Sequence, residues 1–174
     1  MKIIDTFVPG LFTFKYEKEE KDEFSRHLGQ WNDIIFLADF FEKNQNDLKY
    51  FNLDTSSSID KTIYENEELQ DILINLSDDR DFLLDQFFEN LHNEEYKSIV
   101  LSKQKAKQYW LRLYALKIDT NIYVITGGAI KLTKSMQGRS HTARELQKLE
   151  ECKHFLKKND VFDAESFKEF KIDE

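Results

Sequence analysis

The sequence predicts an α+β fold, with a small antiparallel sheet packed against helices, and three observations carry that expectation. Apolar residues recur at three- and four-residue steps between Glu23 and Lys43, the spacing of one helical stripe. A strict period of two runs through Trp110–Ala115 ahead of turn residues and a second β-rich run, the signature of a hairpin. Thr142 and Glu145 stand at capping-box spacing before another periodic stretch, which marks a helix start. With 40% hydrophobic and 14% aromatic residues the 174-residue chain has ample material for a core, and one Pro and five Gly leave no room for a long flexible linker.

Taken in order, Lys2–Thr6 and Leu11–Tyr16 are β-forming runs around Pro9-Gly10, hence two short strands and a turn. Phe24, Leu28, Trp31, Ile34, Ile35, Ala38 and Phe41 define one amphipathic helix over Glu23–Lys43. Phe51–Ile59, with three consecutive serines, reads as a loop, and Glu65–Asn75 as a short helix. Ser77 is the expected N-cap of a further helix, with Asp78 and Asp79 at the positive end of its dipole. The sheet begins at Tyr96–Leu101 and resumes at Trp110, where alternation sets Leu111, Leu113 and Ala115 against Trp110, Arg112 and Tyr114. Arg112 is thereby expected on an open face between two aromatics. Asp119-Thr120-Asn121 turns the chain into Ile122–Thr126; Gly127-Gly128 ends or bulges that strand, and Ala129–Thr133 continues as another. The helix after Thr142 turns Leu146, Leu149, Cys152, Lys153 and Leu156 inward, and a terminal helix after Asp163 carries Phe167 and Phe170.

Charge is distributed unevenly. Lys and Arg outnumber Asp and Glu by 13 to 4 between residues 99 and 159, whereas residues 1–98 hold 10 against 23 in a chain of net charge −8. A basic block inside an acidic protein suits a polyanion such as nucleic acid; the plainer alternative is that the two halves neutralise each other across the fold. A single cysteine, Cys152, excludes an intramolecular disulfide, and the four His have no metal-ligand spacing, so neither metal nor cofactor is expected. The apolar start is broken by Asp5, Pro9 and the acidic run Glu17–Glu23, which argues against a signal or a membrane span and for a cytoplasmic setting.

The order of helices, a β-meander with Arg112 on its middle strand, a double glycine, spaced cations and a closing helix resembles the RelE/ParE/HigB-like toxin superfamily. The likeness rests on Trp110 to Leu149 and covers about residues 77–158. Arg112-Leu113-Tyr114 and Gly127-Gly128-Ala129-Ile130-Lys131 carry it, with Lys134, Met136, Gln137 and Arg139 before Thr142-Ala143-Arg144-Glu145. The resemblance implies a RelE-like core over residues 76–174 with an acidic N-terminal extension, 1–75, packed on it, a toxin of a toxin–antitoxin system cutting messenger RNA at the ribosome without a metal, and a cognate antitoxin as partner. A non-enzymatic protein-binding module on the same fold is the alternative.

Cleavage of that kind uses the ribose 2′-hydroxyl as nucleophile, so the protein supplies proton transfer and charge. Arg112 is the candidate phosphate clamp, Lys131 and Lys134 the candidate charge stabilisers, and His141 the candidate acid or base. Lys103, Lys105, Lys107 and Arg139 are candidate backbone contacts, and Trp110, Tyr114 and Tyr123 candidate stacking surfaces for a splayed base. Each has a plainer reading: an Arg112 ion pair, solvated turn lysines, a structural His141, aromatics that pack the sheet, lysines that keep an edge strand soluble.

Overall fold

A computed structural model of the protein describes residues 1–78, 83–91, 101–107, 109–133 and 138–173. Strands β1 (Lys2–Asp5) and β2 (Leu11–Lys15) are followed by helices α1 (Glu23–Gln30), α2 (Ile34–Lys43), α3 (Gln45–Leu48), a 3₁₀ turn and α4 (Thr55–Asp78). Then come α5 (Leu84–Phe87), β3 (Glu89–Asn90), β4 (Ser102–Lys107), β5 (Leu111–Asp119), β6 (Ile122–Ile130), α6 (Ser140–Lys158) and α7 (Ala164–Asp173). The fold is α+β, a sheet packed against helices, as the patterning predicts. Among the described residues six strands form one sheet in the order β1-β2-β6-β5-β4-β3. The sheet is mixed, because β2 lies parallel to β6 while every other pair is antiparallel. The expected boundary at residue 75 falls inside α4.

Local chemistry explains where elements depart from the periodic pattern. The stretch expected as one helix over 23–43 is two, because Asp33 Oδ1 accepts from Ile35 N (2.9 Å) and Phe36 N (3.1 Å) and starts a new helix. The restart turns Ile34 and Ile35 outward, 62% and 83% exposed, while Trp31, Leu37 and Phe41 stay buried. The three serines do not make a loop: Asp54 Oδ1 accepts from Ser57 N (2.7 Å) and the run becomes the first turn of α4. Ser77 caps no new helix; its hydroxyl donates to Ile74 O (2.6 Å) in the last turn of α4. Residues 79–82 and 96–100, within the expected helix and strand, lie outside the described residues.

The glycine pair does not end its strand. β6 runs through it, and the irregularity falls one residue earlier, where Tyr114 pairs with Gly127 and Ala115 with Ile125, leaving Thr126 over as a bulge. Alternation along β5 is as read from the sequence, but neither face is open. Leu111, Leu113 and Ala115 pack with Trp31, Phe41 and Leu73, whereas Tyr114 and Leu116 pack beneath Leu149, Cys152 and Leu156 of α6. Helices α1, α2 and α4 thus cover one face, and α6 with α7 the other. Trp110 precedes β5 and turns into the first of these layers, its Nε1 donating to Thr62 Oγ1 (3.1 Å).

Candidate functional site

The sequence-predicted residues divide into three groups. Register brings the first together: Lys105 pairs with Tyr114, Lys107 with Arg112, and Arg112 with Ala129 across β4, β5 and β6. Lys131 lies two residues beyond Ala129 and still donates its N–H to Trp110 O (2.8 Å), so it and Arg112 are diagonal neighbours, roughly 7 Å apart at Cβ. Arg112 Nη1 donates to Leu111 O (2.8 Å), and burial pushes its guanidinium pKa down. Lys105 Nζ is 3.8 Å from Glu89.

Ion pairs and backbone bonds hold the second group. Lys103 is paired with Glu150 of α6, and Arg139 forks onto Asp47, which is buried in the N-terminal half. Arg139–Asp47, Lys105–Glu89, Lys117–Asp85 (2.8 Å) and Lys148–Glu23 (2.8 Å) join the basic block to the acidic half, so the two do neutralise each other at several points, whereas Lys103–Glu150 lies within the basic block. Arg139 is therefore anchored to α3 through Asp47, with 43% of its side chain still exposed. His141 Nε2 donates to Ile130 O (3.0 Å) and its ring meets Phe40 edge-on.

Tyr114, Tyr123 and Trp110 form the third group, and here the expectation is corrected. All three are 0–1% exposed. Tyr123 stacks on Phe88 (4.6 Å between centroids, 17°) and donates to Asp85 (2.6 Å). Tyr114 lies under α6. A side chain without exposed surface has no face to offer a base, so these aromatics are core. Lys134 lies outside the described residues.

A site that the sequence reading did not anticipate forms at the edge of β6. Strand β2 pairs with β6 only at Tyr123–Ile125. Beyond it, α1 on one face and α6 on the other close around the strand and leave a cleft of about 810 Å³. The bare glycines allow this approach. A Cβ at Gly127 would lie 1.8 Å from Glu145 Oε2, and one at Gly128 would lie 2.9 Å from Arg112 O and 3.0 Å from the His27 ring. Glu23 and Glu145 therefore meet around the strand edge, both buried.

Charges in the cleft floor are arranged unequally. Arg26 forks onto Glu23 (2.7 and 3.0 Å), and Lys148 Nζ bridges Glu23 Oε2 (2.8 Å) and Glu145 Oε1 (3.1 Å). Burial opposes ionisation of Glu23, but the Arg26 guanidinium and the Lys148 ammonium outweigh it and hold the carboxyl well below the usual range. For Glu145 burial dominates, and its pKa is pushed up to about 6 despite Lys148. Its Oε2 is buried with no hydrogen-bond partner. Burial lowers His27 to about 4, so its ring is neutral at pH 7; Arg26 Nη2, which can only donate, lies 2.9 Å from His27 Nε2 and makes that nitrogen the acceptor. Tyr16 donates to Thr126 O (3.0 Å) and lies 3.2 Å from Cys152 Sγ; burial raises both, the thiol to about 12, so both keep their protons.

Glu23, His27 and Glu145 bring ligand-type atoms within 4.8 Å of one another, a donor set with metal-binding chemistry. The Lys148 ammonium already bridges the two carboxylates and Arg26 holds Glu23. A divalent ion there would face both cations at short range, so the residues present do not suit one. Comparison of the chain with protein-family models, with curated proteins and with solved structures finds no match. One sequence signal for the cleft exists. Glu23, His27 and Trp31 recur at four-residue steps, which sets two ionisable groups on the same helical stripe as a core tryptophan.

Proposed function

We propose that the chain is a toxin-like protein of a toxin–antitoxin system that cuts messenger RNA without a metal, in association with the ribosome. The observation that carries this reading is the register of the meander, in which Arg112 on β5, its partner Lys107 on β4 and the diagonal Lys131 after β6 gather at one end of the sheet. Lys105 lies one pair further along. Backbone register sets these cations side by side, where a phosphodiester would meet several positive charges, and a guanidinium keeps its charge even when partly desolvated. The element order also supports the reading: helices, a meander with Arg112 on the middle strand, a double glycine and a closing helix.

RNA brings its own nucleophile. The protein's share is to align the 2′-hydroxyl with the phosphorus, to stabilise the negative charge on the phosphorane, and to move protons. Arg112 and Lys131 supply the charge, and Lys105 and Lys107 hold the neighbouring backbone. A cognate antitoxin is the expected protein partner.

The test incubates purified wild type and Arg112→Ala with messenger RNA, with and without ribosomes, in EDTA. Wild type is expected to cut, and the variant to cut about 10²- to 10³-fold more slowly. RNA left intact by both proteins overturns the reading, and a stable protein partner retained through gel filtration then favours the binding-module alternative. Equal cutting by both removes Arg112 from the mechanism.

A further inference from the structure

Burial leaves Tyr114, Tyr123 and Trp110 no face for a base, but the residue before Trp110 has one: Tyr109 is 56% exposed. It stands at the same end of the sheet as the cationic row. Arg112 Nη1 donates to Tyr109 O (3.4 Å), and the Lys131 N–H donates to Trp110 O (2.8 Å). Helix α4 brings a further cation to this corner from the acidic half. Lys61 Nζ lies 3.9 Å from the centroid of the Tyr109 ring and 3.7 Å from Glu65 Oε1. Glu65, whose carboxyl feels both Lys61 and Arg112, is buried, and its Oε2 accepts from the Trp110 and Leu111 amides. Phe51, from the 3₁₀ turn, packs near the Tyr109 ring at 5.8 Å and 70°. An ammonium over one face of an aromatic ring is attracted by its quadrupole, so Lys61 and Phe51 set the plane of a ring that stays more than half exposed. Exposed ring and cations side by side are the composition of a single-strand site, because every base has a π face to stack and every linkage a phosphate to neutralise. A duplex keeps its bases stacked on one another and has none to give.

We propose that Tyr109, held in place by Lys61, is the stacking platform for one unpaired base of a single-stranded RNA whose adjoining phosphates lie on Arg112 and Lys131; the assignment rests on the RNA-directed reading above. Tyr109 moves no proton and touches no reacting bond. It is a binding residue, and Lys61 is a positioning residue that acts through it. Stacking at this one ring sets which nucleotide lies beside the cations, and it does so without reading sequence, since a π face is common to all four bases.

The experiment measures binding of the full chain to a labelled single-stranded 2′-fluoro RNA by fluorescence anisotropy over a series of salt concentrations; without a 2′-hydroxyl the strand cannot be cut, so binding is read apart from cleavage. Wild type is compared with Tyr109→Ala, Tyr109→Trp, Arg112→Ala and Phe162→Ala, each checked for folding by thermal denaturation. Phe162 is a matched control, 51% exposed and next to α7, where the Ala164 N–H donates to Asp119 at the far end of β5. Tyr109→Ala is expected to weaken binding about 5- to 150-fold with the salt slope unchanged, since no charge is lost. Tyr109→Trp keeps a ring and is expected to bind within about threefold of wild type. Arg112→Ala is expected to weaken binding and to flatten the slope of log affinity against log salt by about 0.7, and Phe162→Ala to change neither. Folded Tyr109→Ala that binds within about twofold of wild type, or that loses as much on a duplex of the same sequence, overturns the platform and leaves the cleavage reading standing. A loss confined to single strands, with unmodified messenger RNA left intact by wild type, upholds the platform and removes the cleavage reading. Wild type that binds no RNA at low salt overturns the platform and, if ribosome-bound messenger RNA also stays intact, the cleavage reading with it.

Discussion

Replacing Lys148 with Met removes one ammonium from between two buried carboxylates while keeping most of the side-chain volume, and its cost depends on pH in a way the cleft dictates. Glu23 keeps both bonds from Arg26 and stays ionised. Glu145 loses the 3.1 Å contact of its Oε1, and its Oε2 has no donor to begin with. Breaking a buried pair from one side typically costs about 3–5 kcal/mol when the orphaned charge must persist. Glu145 escapes part of that cost by taking up a proton. Its wild-type pKa is pushed up to about 6, so at pH 5 it is already mostly neutral and Lys148 stabilises it little. At pH 8 wild-type Glu145 is ionised, and holding the variant's carboxyl neutral two units above that pKa forfeits about 2.7 kcal/mol.

Lys148→Met is therefore expected to lose about 2–3 kcal/mol more stability at pH 8 than at pH 5, read by urea unfolding of both proteins at both pH values. The sign is the same for this group in wild type. A carboxyl whose folded pKa lies above its ordinary 4.5 binds its proton more tightly when folded, so its stabilising contribution is complete at low pH and falls as pH rises through about 6. Equal destabilisation by Lys148→Met at the two pH values would refute the picture of Glu145 as the titrating member of the cluster.

Two further predictions concern residues that tie the acidic half to the basic one. Glu65 Oε2 accepts from Trp110 N (3.1 Å) and Leu111 N (3.4 Å) in a buried position; Glu65→Ala strands both amides and is expected to cost about 1–3 kcal/mol in urea unfolding, with Glu65→Gln costing less because an acceptor remains. Arg139→Ala is expected to leave the rate of RNA cleavage within about twofold of wild type, since its guanidinium is engaged by Asp47, and a loss approaching that of Arg112→Ala would return it to the RNA-binding surface.

Periodicity made the helices, the meander and the α6 stripe legible, because burial of Leu149, Cys152 and Leu156 repeats at helical spacing. It misread Asp33 and Asp54, whose side chains restart helices by bonding to backbone amides, a local choice that the apolar pattern does not contain. The same pattern cannot say how many layers lie over a sheet. Tyr114 and Arg112 alternate as read, yet α6 covers Tyr114 completely. Glu145 shows a similar limit. At capping-box spacing from Thr142 it reads as a solvated helix-start residue, but the missing side chain of Gly127 draws its carboxyl inward to Lys148 and the strand. That pairing spans separate elements, so only the parallel β2–β6 register, whose pairing ends before Thr126, reveals the cleft.

The chemistry of the cut ends tests the account most directly. RNA incubated with the full chain in EDTA is expected to carry a 2′,3′-cyclic phosphate on one side of the cut and a 5′-hydroxyl on the other, and a single 2′-deoxy substitution at the cleaved nucleotide is expected to abolish cutting there. Ends bearing a 5′-phosphate, or cutting that survives loss of the 2′-hydroxyl, would contradict it.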